Sequence, residues 1–85
     1  MNVSFAANGW EDYLWWQEQD RKTLKRINML IADIVRNGHY GIGKPEPLRH
    51  EYQGYWARRI TSEHRLVYFL GEDDLVIVAC RFHYE

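Results

Sequence analysis

Glu46 stands between two prolines in the run Lys44-Pro45-Glu46-Pro47. Proline fixes its own φ and pushes the residue before it toward an extended backbone, so this carboxylate sits on a stiffened segment. Preorganisation of that kind suits a catalytic base. The local sequence alone reads more simply as a solvated loop glutamate between structural prolines. Three arginines, Arg58, Arg59 and Arg65, enter an otherwise apolar stretch, where a cation needs a carboxylate or phosphate partner. His83 and Tyr84 follow the last apolar run. Cleaving RNA without a metal requires removing a proton from a 2′-hydroxyl, neutralising the extra charge on the phosphorane, and protonating the 5′-oxygen that leaves. A carboxylate, a guanidinium and an imidazole suit those tasks in that order.

Glu46, Arg65 and His83 lie far apart in the chain, so the fold has to bring them together. Gly54 to Leu70 reads as a β-hairpin whose two runs flank the polar break Thr61 to His64. Its second run, Leu66 to Leu70, is apolar on both faces and predicts a central, covered strand. Leu75 to Cys80 predicts a third strand, joined through the acidic turn Gly71 to Asp74. Asn2 to Phe5 is a weaker strand signal. If the last turn pairs Leu70 with Leu75, position 65 faces Cys80 and shares a side with Phe82 and Tyr84. Convergence of Arg65 with His83 therefore requires a register changed by one residue, or a bulge before His83.

Asn8, three residues before Glu11, resembles a capping box and predicts a helix to about Gln19. Trp10, Tyr13 and Leu14 share one face of it as a core stripe, with Trp16 on the flank and Trp15 pointing away. Asp20 is a natural N-cap for a second helix carrying Leu24, Ile27, Leu30, Ile31, Ile34 and Val35 at helical spacing up to Gly38. Its opposite face holds Arg21, Lys22, Lys25, Arg26 and Arg36, a pattern more often solvated than nucleic-acid-binding. The expected architecture is α+β: a mainly antiparallel sheet of about four strands, with both N-terminal helices on one face. The other face is left as a shallow cleft.

Eighty-five residues form a single domain, 1–85, and the 46% hydrophobic content supports a folded core. The net charge of −1 argues against indiscriminate nucleic-acid binding, but it hides an asymmetry. Every charged residue up to Asp20 is acidic, whereas all eleven basic side chains lie from Arg21 onward. The basic surface is therefore local. Cys80 is the one cysteine, which suits a buried thiol and a reducing cytoplasm. His39, His50, His64 and His83 lack paired metal-ligand spacing, so neither a metal nor another cofactor is expected. Gly41-x-Gly43-Lys44 lacks the spacing of a phosphate loop. No leader or bilayer-length apolar run is present.

Gly43-Lys44-Pro45-Glu46-Pro47-Leu48, Trp56-x-Arg58-Arg59-Ile60, Glu63-His64-Arg65-Leu66-Val67-Tyr68 and Cys80-Arg81-x-His83-Tyr84, with Trp10-Glu11-Asp12-Tyr13, resemble the YoeB/Txe toxins of bacterial toxin-antitoxin modules. The resemblance covers nearly the whole chain. It implies a RelE-like α+β fold and a ribonuclease that cuts messenger RNA in the ribosomal A site, held inactive by a YefM-type antitoxin. It further implies Glu46 as general base, Arg65 as the cation stabilising the transition state, His83 as general acid and Tyr84 as an orienting or stacking group. Arg59, Lys44 and Arg49 would hold phosphates. The chain departs from the family pattern in its slight net acidity and in continuing past Tyr84 to Glu85. Two other readings remain: a non-catalytic binder that blocks translation at an RNA site, and a degenerate toxin kept as an interaction partner. The sequence leaves monomer and homodimer open.

Overall fold

Asp20 separates two helices, Ala7–Gln19 (α1) and Arg21–Asn37 (α2), and its side chain accepts hydrogen bonds from the backbone N–H groups of Lys22 and Thr23. The computed structural model describes residues 1–82; His83, Tyr84 and Glu85 lie outside the described residues. α2 ends at Gly38, as expected, with Gly38 at a φ of 68°. Ile27, Leu30 and Ile34 form its buried stripe. Val35, expected in that stripe, is exposed.

α1 ends at Gln19, as expected, but differs from expectation in its cap and its buried face. Ala6 is its N-cap and no side chain caps it. Asn8 instead lies inside the first turn, with its amide 3.4 Å from Asp12 Oδ2. The buried face is Gly9 with Trp16, residues two helical turns apart. Trp10 and Leu14 are exposed. Trp10 stacks on Tyr13 at 5.8 Å and meets Phe5 edge-on, so the expected core stripe is an aromatic cluster at the margin. The reason is contact distance. A Cβ on Gly9 would stand 2.3 Å from the Ile77 carbonyl oxygen, so the helix approaches the strand backbone more closely than any side-chain-bearing residue allows. The Trp16 indole N–H then donates to the Cys80 carbonyl at 2.7 Å.

Among the described residues the sheet has five strands: Asn2–Phe5 (β1), Glu46–Pro47 (β2), Trp56–Arg59 (β3), Arg65–Leu70 (β4) and Asp74–Ala79 (β5), in the order β1-β5-β4-β3-β2. The expectation of about four strands missed the two-residue β2. β1 runs parallel to β5 and the remaining pairs are antiparallel. β4 is central, and Leu66, Val67 and Tyr68 are buried. Trp16 and the α2 stripe pack on Leu66, Tyr68, Leu75 and Ile77, forming the main core on one face. On the other face Ala57, Val67 and Ala79 form a smaller cluster, bordered by Leu48, Tyr55 and Val78. No helix among the described residues is long and apolar enough to cross a membrane.

Candidate active site

Arg58 organises the segment that carries Glu46. Its guanidinium is fully buried and pairs with Asp33 of α2. It also donates to the carbonyls of Gly38 at 2.6 Å and Ile42 at 3.1 Å. Asp33 in turn accepts from the Ile42 N–H at 3.2 Å and the Asn37 amide at 2.8 Å. The hydrogen bond from Arg58 holds the Asp33 carboxyl below its usual range despite partial desolvation. The loop after α2 is thus wrapped around a cation, and it leaves no room for a side chain at Gly41, where a Cβ would strike the Asp33 carboxylate. Burial pushes the His39 imidazole down, with Arg58 adding to the effect, and its ring stacks on Trp56 at 3.8 Å. Burial likewise pushes the Tyr68 phenol up.

The loop then joins the sheet. The Arg59 N–H donates to the Gly43 carbonyl at 2.7 Å, and Glu46 pairs with Ala57 while Pro47 pairs with Trp56. Proline is tolerated there because β2 is an edge strand with no further ladder to serve. Glu46, Ala57, Val67 and Ala79 fall opposite one another across four strands, so they form one row on the face away from the helices. Arg59 and Arg65 pair directly in the next row of that face, about 7 Å along the strands. Short side chains at Ala57 and Ala79 leave the Glu46 row low beside the arginine row.

Arg65 is 7% exposed. Its Nη1 donates to the carbonyls of Thr61 at 2.9 Å, His64 at 3.1 Å and Ser62 at 3.3 Å. The loop that supplies them is turned by Thr61, whose hydroxyl accepts from the N–H groups of Glu63 and His64. Carbonyls orient a guanidinium but do not neutralise it, and no carboxylate among the described residues pairs with either Arg65 or Arg59. Like charges directly opposite in a sheet repel. An anion placed between the two would relieve that repulsion. Lys44 and Arg49 are exposed, Lys44 beside Pro45 and Arg49 before the short 3-10 turn His50–Tyr52.

β5 changes register on its way to the tail. Leu70 pairs with Leu75 and Tyr68 with Ile77, but Val67 pairs with Ala79, so Val78 is the extra residue. The shift places Ala79 on the open face with Val67 and returns Cys80 to the core. β5 ends at Ala79, and beyond it position 65 meets Phe82 and not Cys80. The Arg65 N–H donates to the Phe82 carbonyl at 3.0 Å. His83 and Tyr84, expected in the site, lie outside the described residues. Arg81 stacks on Trp15 at 3.6 Å, which gives that half-exposed tryptophan an internal partner. Burial, followed by the nearby Asp12 carboxylate, pushes the Cys80 thiol up to about 12, so it is an inert core group at neutral pH.

The structure thus puts Glu46, Arg59 and Arg65 on one sheet face and keeps Lys44 next to Glu46. Asp33 is a functional residue that sequence pattern misses, because its pairing with Arg58 joins α2 to β3 and has no local spacing to mark it. The small residues Ala57 and Ala79 gave no signal of their own, since only the register shows that they floor the cleft.

Residues 5–84 match the family described as YoeB-like toxin of bacterial type II toxin-antitoxin system. A curated relative, the toxin YoeB of Synechocystis, is 56% identical over all of this chain and 99% of its own length. Among solved structures, the YoeB/ParE toxin from Agrobacterium tumefaciens superposes with a TM-score of 0.95 at 43% identity, covering 99% of this chain and 100% of that one. The YoeB of Staphylococcus aureus, 45% identical, is similar both as a dimer, with a TM-score of 0.92, and in a heterotetrameric YoeB-YefM complex, with a TM-score of 0.91. Each of these covers 99% of this chain and 98% of the other.

Proposed function

The chain belongs to the YoeB-like toxins of bacterial type II toxin-antitoxin systems, and we propose that it is a ribosome-dependent endoribonuclease that cuts messenger RNA in the A site. The observation that carries this reading is the Arg59–Arg65 pair, two cations facing each other across β3 and β4 with no carboxylate partner among the described residues. A scissile phosphate seated there would relieve their repulsion and receive the guanidinium as its charge grows. Glu46, in the adjacent row, takes the proton from the 2′-hydroxyl. The oxygen so freed attacks phosphorus, and the extra negative charge of the phosphorane is held by Arg65. His83 gives its proton to the departing 5′-oxygen, leaving a 2′,3′-cyclic phosphate and a 5′-hydroxyl end. Tyr84 orients or stacks on the nucleotide, and Lys44, Arg49 and Arg59 hold flanking phosphates. These steps are drawn without a metal, each proton moving between a side chain and the RNA.

The same face suits a YefM-type antitoxin, whose acidic segment would cover the arginines and block the cleft. The dimeric S. aureus relative supports a homodimer as the form that meets the ribosome in the cytoplasm. The test is message cleavage on programmed ribosomes, with ends mapped by primer extension. Wild type gives new 5′ ends at the A site with and without chelator. Glu46→Ala and His83→Ala each cut about a hundred- to ten-thousand-fold more slowly while remaining folded. Stalled but intact message with wild type would instead identify a non-catalytic binder, and full activity in both variants would remove the roles assigned here.

A further inference from the structure

His64 makes a contact that the nuclease chemistry does not use. Its Nδ1 accepts a hydrogen bond from the Phe82 N–H at 2.8 Å. A backbone N–H can only donate, so Nδ1 carries a lone pair and the ring proton sits on Nε2, which lies 3.4 Å from Glu63 Oε1. The ring cannot turn freely: Trp16 of α1 meets it edge-on at 4.8 Å, and Phe82 lies at 5.9 Å. The His64 carbonyl also accepts from Arg65 Nη1 at 3.1 Å. One residue thus touches the helix layer, the arginine and the chain leading to the tail.

Phe82 needs holding. Its φ is +69°, in the left-handed region that side-chain-bearing residues rarely adopt. Two bonds oppose its relaxation, the one from its N–H to His64 and the one its carbonyl accepts from the Arg65 N–H. We propose that His64 is a positioning residue: its Nδ1 lone pair fixes the Phe82 backbone beside Arg65, and with it the point from which His83 and Tyr84 continue. This rests on the nuclease reading above. A purely packed aromatic would need the ring and not the lone pair, and that difference is testable.

The measurements are long-range 1H–15N correlation spectra of the imidazoles in the wild-type protein, and single-turnover cleavage on programmed ribosomes over a range of toxin concentration. The spectrum should show His64 with unprotonated Nδ1 and protonated Nε2 at neutral pH. His64→Phe keeps a ring against Trp16 but removes the acceptor. It should lower the maximal cleavage rate about 10- to 100-fold, the scale of a sub-ångström to 1 Å misplacement, with half-saturation within about twofold of wild type. His64→Asn, whose Oδ1 takes the place of Nδ1, should recover most of that loss. Wild-type cleavage by a folded His64→Phe protein, an Asn variant no better than Phe, or a protonated Nδ1 in the wild type would overturn the proposal. If the wild type itself leaves message intact, the nuclease reading fails, and the spectrum still decides whether the His64 clamp exists.

Discussion

Arg58 and Arg65 sit on adjacent, paired strands and face opposite sides of the sheet, which decides what each can do. Arg58 turns toward the helices and is neutralised by Asp33, so its charge serves the fold. Arg65 turns to the open face and meets only backbone carbonyls among the described residues. A guanidinium held by one nitrogen presents the remaining N–H groups in a fixed plane, a geometry an ammonium cannot copy. Arg65→Lys therefore keeps the charge and loses the fork, and is expected to slow cleavage about a hundred-fold, the scale of a lost transition-state donor. Single-turnover rates on programmed ribosomes measure this, with circular dichroism confirming the fold. A rate within a fewfold of wild type would show that charge alone matters at this position.

At the scale of elements, the sheet-forming runs, the Asp20 cap and the apolar stripe of α2 were legible because each depends on local pattern. α1 was not. Its docking uses a missing side chain at Gly9 and an indole hydrogen bond at Trp16, and neither registers as apolar periodicity. The exposed Trp10 and Leu14 supplied that periodicity instead. The need for a register change before the tail was readable from the requirement that Arg65 and His83 converge, but its position at Val78 depends on side-chain packing over both faces. Gly9→Ala is accordingly a sharp test, because the added methyl meets the Ile77 backbone and neither side can yield by rotating. A cost of about 3 kcal/mol is expected at such an overpacked contact, which in a domain of this size lowers Tm by roughly 10 °C or more, read by thermal unfolding. The Arg58–Asp33 strut gives a pH signature. Asp33 has its folded carboxyl lowered, so the stability it contributes is present above the ordinary carboxylate value near 4 and is lost as pH falls through the lower folded value. Asp33→Asn should lower Tm at pH 7 and flatten its decline below about pH 4. An unchanged acid profile in the variant would show that other carboxylates control acid unfolding.

Across the whole molecule, a net charge of −1 conceals two separate basic surfaces. One is the open sheet face with Arg59 and Arg65, next to the segment that carries the exposed Lys44 and Arg49; the other is the outer side of α2, with Arg21, Lys22, Lys25 and Arg36 exposed. Because the helices cover the opposite sheet face, one RNA phosphate cannot reach both, and only the first surface lies with Glu46. Each phosphate contact that a protein makes releases bound counterions, so its removal reduces the steepness with which affinity falls as salt rises. Arg49→Gln should weaken association with programmed ribosomes and lower the slope of log affinity against log salt by about 1. Arg36→Gln, on α2, should leave both affinity and slope within error of wild type. The reverse outcome would move the RNA to the helical surface, away from Glu46 and Arg65, and the chain would then inhibit translation by occupying ribosomal RNA with its cleft unused.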